Sequence, residues 1–283
     1  MIGRYRITDQ LLDEFRRRLV TEEKSKLTIA QYMRDIEDFR GFLQKGNPVD
    51  KEEVIAYKEH LVETYRSSAT VNTKLAALNK FFAVTGMDCC RVKLLRRQRR
   101  MFCELNRELT RGEYLRLLET AQKNNNTRLS LIMQTICSTG IRVGELRWIT
   151  AQAVAANLVE VSAKGKQRRV FLPPKLRGAL MDYMKRTGVK SGPVFATRAG
   201  RPLDRSNIWH DMKSLCCLAG VESTKVFPHN LRHLFAKEFY AMDKDVFHLA
   251  DILGHSSVET TRIYTVTSGY EQERQISSLR LVL

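Results

Sequence analysis

The sequence of 283 residues lacks the features of a secreted, membrane-spanning or metal-binding protein. No uninterrupted apolar run approaches the roughly 18 residues of a membrane span. The start, MIGRYRITDQ, has no apolar segment after its charges, so no secretory signal is visible. The six cysteines form no CxxC pair and no metal-ligand spacing, which favours reduced thiols that act as small hydrophobic side chains. These absences predict a cytoplasmic protein.

Acidic residues are also scarce relative to basic ones. The chain has 48 Lys and Arg against 31 Asp and Glu, a formal net charge of +17. Solubility does not require so large a surplus, so the charge indicates a polyanionic partner. Nucleic acid is the favoured one, and an anionic membrane surface is the weaker alternative. A hydrophobic content of 43% with 28% charged residues allows a normal packed core and excludes global disorder.

Residues 1–88 predict a small helical domain. Their apolar residues recur at alternating steps of three and four, which is the spacing of one helix face. Thr8 can cap the first helix, Asp50 and Glu53 resemble a capping box for the third, and the fourth ends at Gly86. We expect a compact bundle of four short helices with basic outer faces.

Residues 89–107 differ in character, because six of the ten residues from 91 to 100 are Arg or Lys and no apolar period runs through them. This composition predicts an exposed, solvated interdomain linker. A cationic linker can also follow a phosphate backbone. The candidate contacts to DNA backbone are Arg96, Arg97, Arg99 and Arg100.

Residues 108–283 predict a second domain that is mostly helical. Thr110 and Glu113 form another capping box, and helical patterns follow to about residue 149. Residues 158–161 and 169–172 then predict two strands joined by a turn at 163–166. Helices are expected again from about residues 174, 204, 229, 244 and 258. The predicted fold class is mainly α with a small antiparallel β-sheet in the C-terminal domain.

Four short segments of this domain carry residues suited to phosphate chemistry. Arg142 follows a glycine at a predicted helix start, where backbone N–H groups favour an anion. Lys164 occupies the hairpin turn. His229 and Arg232 lie three apart, on one helix face. The last segment contains His255 and, nine residues on, Tyr264. Each of these segments is unspecific by itself.

The spacing of four between His229 and His233 is also found in zinc sites. The residue after His229 is Asn rather than Glu, and no third ligand follows at a recognisable spacing. The sequence therefore predicts no metal site and no bound cofactor.

Taken together and in order, the four segments resemble the tyrosine recombinase (phage integrase) family, in its Xer-like or mobile-element form. The sequence segments that carry the resemblance are TGIRVGEL, PHNLRHLFA and LGHSSVETTRIYT. Ala163 is a small departure, because the family often has Gly before the lysine. The resemblance implies a two-domain DNA clamp, with a SAM-like core-binding domain at 1–88 and a catalytic domain at 108–283. The implied catalytic set is Arg142, Lys164, His229, Arg232, His255 and Tyr264.

The resemblance implies a site-specific recombinase that cleaves and rejoins DNA through a 3′-phosphotyrosine, with Tyr264 as nucleophile. Arg142 and Arg232 suit the stabilisation of charge on the non-bridging oxygens, and His255 can supply a third donor. His229 is the expected proton acceptor, and Lys164 the proton donor to the 5′-oxygen. The energy of the cleaved phosphodiester bond is conserved in the phosphotyrosine linkage, so neither ATP nor a metal is expected.

Two other functions remain open at this point, namely a catalytically inert DNA-binding protein on the same fold and a type IB topoisomerase. The expected partners are double-stranded DNA and, on paired sites, three further copies in a homotetramer, with a monomer in free solution. Residues Ile276, Leu279 and Leu283 share one face of a predicted tail helix. That helix can pack in cis or on a neighbouring protomer.

A bacterial, nucleoid-associated protein without a lambda-like arm-binding domain is expected. Its use in integration and excision, inversion or dimer resolution stays open, as does its target sequence.

Overall fold

The computed structural model describes residues 5–43, 48–96, 108–163, 166–197, 199–255, 257–264 and 277–278. The chain divides into two compact units, Met1–Arg99 and Arg100–Leu283. Among the described residues, no helix is both long and apolar enough to cross a bilayer.

The described part of the first unit contains four α-helices, as the apolar spacing predicts. Phe15, Phe39, Phe81 and Phe82 are fully buried between them and form the centre of the core. Thr8 caps the first helix, through a bond from the Leu11 N–H to its hydroxyl oxygen. The helices are α1 (Asp9–Thr21), α2 (Lys26–Phe42), α3 (Lys51–Thr64) and α4 (Ser68–Val84).

The first part of the predicted linker, residues 91–96, is hydrogen-bonded to α4 through its backbone, although four of its six residues are exposed. The Asn79 side chain accepts from the Val92 N–H at 2.9 Å and donates to the Val92 carbonyl at 2.8 Å. Asn72 pairs with the backbone of Leu95 in the same way, at 2.8 and 3.0 Å. Residues 91–96 therefore belong to the first unit. Arg97, Arg99 and Arg100 lie outside the described residues.

The first helix of the second unit begins with the predicted capping box, in which the side chains of Thr110 and Glu113 each accept from the backbone N–H of the other residue. Its α-helices among the described residues are α5 (Arg111–Lys123), α6 (Thr127–Thr139), α7 (Ala151–Ala156), α8 (Pro174–Thr187), α9 (Arg205–Ser214), α10 (Cys216–Ala219), α11 (Pro228–Asp243), α12 (Val246–Leu253) and α13 (Val258–Thr261). Short 3₁₀ helices span Asp88–Cys90 in the first unit and Val143–Trp148, Ser223–Lys225 and Arg262–Tyr264 in the second.

The predicted hairpin is present as the antiparallel pair β1 (Val159–Ala163) and β2 (Lys166–Val170). Val159 and Val161 of β1 are buried in the core of the unit. The ladder extends closer to the turn than predicted, by two residues on β1 and by three residues on β2. Backbone pairing needs no apolar side chain, so it continues through polar positions that the hydrophobic pattern could not assign.

Two further boundaries differ from the prediction. Residues 143–148 form a 3₁₀ helix rather than an α-helix, with an i→i+3 bond of 2.8 Å from the Glu145 N–H to the Arg142 carbonyl. The four-residue α10 was not predicted, because it is too short to show a period.

Candidate active site

Arg142 stands at a sharp turn between α6 and the 3₁₀ helix. The turn depends on Gly140, whose φ of +64° is unfavourable for other residues and whose added Cβ would lie 2.5 Å from the Phe235 ring. The Arg142 guanidinium donates to Glu145 Oε1 at 2.9 Å and to the Gly254 carbonyl at 3.3 Å. Its side chain is still 42% exposed. One edge of the guanidinium is thus held, and the group remains open to a ligand.

Arg232, on α11, is by contrast fully buried. It donates to the carbonyls of Gly140 and Leu253 and approaches His255 Nε2 at 2.9 Å. Burial, and then the positive charge of Arg142, lowers the pKa of Arg232 to about 10. The guanidinium therefore stays charged at neutral pH and ties α6, α11 and the end of α12 together.

His255 follows α12 and is fixed through both ring nitrogens. Nε2 faces Arg232, which can only donate, so Nε2 accepts and the proton lies on Nδ1. Nδ1 then donates to the Thr261 hydroxyl at 2.7 Å. Burial, and then the charges of Arg232 and Arg142, lowers the pKa of His255 to about 4. The ring is neutral, and in this arrangement its Nε2 orients Arg232.

Tyr264 is the last residue of the 3₁₀ helix Arg262–Tyr264 and is 5% exposed. The positive charge of Arg232 acts on its hydroxyl and favours the phenolate. Its ring stacks on His255 with centroids 6.2 Å apart and meets His233 edge-on at 4.7 Å. Burial raises the pKa of Tyr264, although Arg232 and Arg142 act in the opposite direction. The phenol is thus protonated at rest and lies beside the charges that would stabilise its anion.

His229 and His233 form an edge-on pair on α11, with ring centroids 4.5 Å apart. Burial, and then Arg232, lowers the pKa of His229, while burial and then His229 lower the pKa of His233 to about 4. Both rings are neutral and can accept a proton. The described residues contain no group of three or more His, Cys, Asp or Glu that could hold a metal ion.

Residues 107–269 match the phage integrase family, and residues 11–86 match the N-terminal SAM-like domain of phage integrases. The chain belongs to the phage integrase family. The predicted likeness to tyrosine recombinases of the Xer and integrase type is therefore confirmed.

The matches to known tyrosine recombinases and integrases cover most of this integrase-family chain. The chain is 29% identical over 264 residues to tyrosine recombinase XerA of Thermococcus kodakarensis, which covers 91% of this chain and 90% of the relative. A crystal structure of XerA recombinase matches with 25% identity and a TM-score of 0.54, over 98% of this chain and 100% of the other. A lambda integrase tetramer bound to a Holliday junction shares the fold, with 18% identity and a TM-score of 0.72 over 90% of this chain and 76% of its own.

Five members of the six-residue set thus meet in one site of this integrase-family protein: Arg142, His229, Arg232, His255 and Tyr264. The sixth, Lys164, lies outside the described residues, between the ends of β1 and β2.

Sequence reasoning missed two residues of the site, Glu145 and Arg168. The Glu145 side chain is 7% exposed and accepts from Arg142 and, at 2.6 Å, from Arg168. Burial acts to raise the pKa of Glu145, but the Arg142 N–H and the two guanidinium groups outweigh it, so this pKa is lowered. The capping-box spacing from Arg142 to Glu145 was a usable signal. Arg168 gave none, because it is one of several basic residues between the predicted turn and the second predicted strand.

Proposed function

We propose that this phage integrase family protein is a site-specific DNA recombinase, which cleaves and rejoins DNA strands through a 3′-phosphotyrosine at Tyr264. The observation that carries the proposal is the stacking of the Tyr264 ring on His255, which is bonded to Arg232, in a site where Arg142 is open to a ligand. An inert DNA-binding protein has no need of this arrangement.

The two arginines grip the scissile phosphate in this proposal. Arg142 approaches from the exposed side and Arg232 from the buried side, and both remain charged. Preorganised donors of this kind stabilise the charge that develops on the non-bridging oxygens. Removal of one such donor costs about 10²–10³ in rate in comparable sites. His255 orients Arg232, and its role as a third donor requires a proton on Nε2, which the negative charge of a bound phosphate would favour.

The covalent step moves two protons. The Tyr264 oxygen bonds to phosphorus while the bond from phosphorus to the 5′-oxygen breaks. His229 accepts the phenol proton, with the neutral ring of His233 between the two groups. Lys164 gives a proton to the departing 5′-oxygen. Rejoining reverses these steps, and because the phosphotyrosine keeps the bond energy, neither ATP nor a metal enters them.

The substrate in this proposal is double-stranded DNA, and the net charge of +17 supports it. Arg96, Arg97, Arg99 and Arg100 contact the phosphate backbone. The lambda integrase tetramer on a Holliday junction supports a homotetramer on paired sites, formed from monomers that are separate in free solution. Integration and excision, inversion and dimer resolution are all compatible with this chemistry. The place of action is the bacterial cytoplasm, at the nucleoid.

The test begins with a map of the DNA that becomes covalently attached to the protein in cells, followed by a nicked suicide duplex built on that site. Tyr264→Phe removes one oxygen and should abolish the covalent adduct while DNA binding stays within about twofold. Tyr240→Phe, on the half-buried C-terminal part of α11, is the matched control and should keep the adduct.

Three outcomes separate the candidate functions. Strand exchange between two duplexes identifies a recombinase, relaxation of supercoiled DNA without exchange identifies a topoisomerase, and binding without any adduct identifies an inert binder. An adduct formed by the Tyr264→Phe protein would overturn the assignment of the nucleophile.

A further inference from the structure

Arg168 connects three segments of the site that are distant in the chain. From β2 its Nη2 donates to Glu145 Oε2 at 2.6 Å, and its Nη1 donates to the Ile252 carbonyl near the end of α12, also at 2.6 Å. Arg142 closes a ring of contacts, since it donates to Glu145 and to the Gly254 carbonyl. The arginine on β2 is thus joined to the Arg142 turn and to the residues that precede His255.

The fit of Arg168 into this ring is close. Its side chain is only 13% exposed. Gly254, with φ +65°, lies against it so tightly that an added Cβ would be 2.5 Å from Arg168 Cδ. A side chain at residue 254 would therefore displace the guanidinium or the His255 turn. The neighbouring Arg169 is different, because its side chain is 70% exposed and its ion pair with Glu160, at 3.6 Å, is exposed as well.

The net charge of this ring of side chains determines how strongly Arg142 can attract a phosphate. Glu145 carries one negative charge in a buried position, and two guanidinium groups share it. The set therefore keeps one positive charge beside the open edge of Arg142. If Arg168 were absent, the carboxylate would neutralise Arg142 alone, and a phosphate would meet a nearly neutral pair.

We propose that Arg168 is a positioning residue that holds Glu145, so that Arg142 is fixed in place and keeps its charge for the scissile phosphate. This inference rests on the proposed function. Glu145 and Arg168 do not touch the reacting atoms in it. They act through Arg142, and through the backbone that leads to His255.

The experiment measures single-turnover adduct formation on the suicide duplex with purified full-length protein. Arg168→Met should form the adduct about 100-fold more slowly, because Arg142 loses both its charge balance and its support. Arg169→Met, next to it on β2, should stay within about twofold of the unchanged protein. Arg168→Lys keeps the charge and should be intermediate.

The decisive comparison adds Glu145→Gln to Arg168→Met. Removal of the unbalanced carboxylate returns the positive charge to Arg142, so the double variant should recover at least about tenfold over Arg168→Met. A role in packing alone predicts no recovery, because a second buried contact is lost. A double variant no faster than Arg168→Met would overturn the proposal.

Two controls keep the result decidable. If thermal unfolding shows that Arg168→Met does not fold, Arg168→Lys and Arg168→Gln replace it. The proposal expects the adduct to form about tenfold faster in Arg168→Lys than in Arg168→Gln. Equal rates of adduct formation in these two variants would overturn the proposal. Failure of the proposed function gives a different result, because then the unchanged protein forms no adduct with any duplex.

Discussion

At the scale of single residues, burial holds the histidines of the site in their neutral form. The pKa of His233 and that of His255 are each lowered to about 4, whereas an unfolded chain has the ordinary value near 6.5. Above about pH 6.5 both histidines are unprotonated in the folded and in the unfolded chain, so their titration contributes nothing to the free energy of unfolding. Between pH 6.5 and 4 only the unfolded chain binds them, and the folded state loses stability as the pH falls.

This linkage gives a measurable slope. The free energy of unfolding should fall with pH by as much as about 1.4 kcal/mol per unit for each of the two histidines. Urea unfolding from pH 7 to 5 measures it, and His233→Phe should show a smaller slope because one of the two titrations is gone. His210→Gln, on an exposed position of α9, is the control and should leave the slope as it was. An unchanged slope in His233→Phe would contradict the burial argument.

Lys164 gives a second prediction at this scale. Lys164→Ala should slow cleavage of a normal duplex by about 10²–10⁴, the range for loss of a general acid. A duplex with sulfur in place of the scissile 5′-oxygen has a better leaving group that needs no proton. Adduct formation by the variant should then return to near the rate of the unchanged protein. If sulfur gives no such recovery, Lys164 does not protonate the leaving oxygen.

At the scale of elements, the docked segment 91–96 is held in part by two asparagines of α4, beside Lys51 and Lys58 of α3. Asn79→Ala leaves the N–H and the carbonyl of Val92 without their partner, at a cost of about 1 kcal/mol for each bond. The segment should detach more often, so trypsin should cut after Arg91 and Lys93 several-fold faster in a time course of limited digestion.

Thr73→Ala is the matched control on the same helix, because the Thr73 hydroxyl is exposed and bonds only within α4, to the Ala69 carbonyl at 2.9 Å. Its digestion rate should equal that of the unchanged protein. Equal rates for Asn79→Ala and Thr73→Ala would show that the asparagine does not hold the segment.

At the scale of the whole molecule, assembly is expected to depend on the tail. Deletion of residues 272–283 removes the predicted helix with Ile276, Leu279 and Leu283 on one face. Binding to a single half-site should stay within about twofold, while cooperative occupancy of paired sites and strand exchange should be lost. Band shifts on one and two half-sites, with an exchange assay, measure both. A truncated protein that recombines at the normal rate would show that the tail packs in cis.

The sequence by itself determined the helical bundle, the hairpin and the order of the six catalytic candidates. These features are local, because an apolar face, a cap such as Thr110 with Glu113, or a spacing such as His229 to Arg232 is fixed by neighbours in the chain. The exposed fraction and protonation of those residues were not available from the pattern. Burial of Arg232 and Tyr264 depends on which helices pack around them.

Only the tertiary structure decided the contacts of Arg168 and the docking of residues 91–96. Arg168 meets Glu145 across 23 residues of chain and Ile252 across 84, and no periodicity links positions so far apart. Segment 91–96 reads as a free basic linker because its charges dominate the composition. Its partly buried backbone groups nevertheless bond to Asn72 and Asn79, because every backbone N–H and carbonyl can form a hydrogen bond whatever side chain it carries.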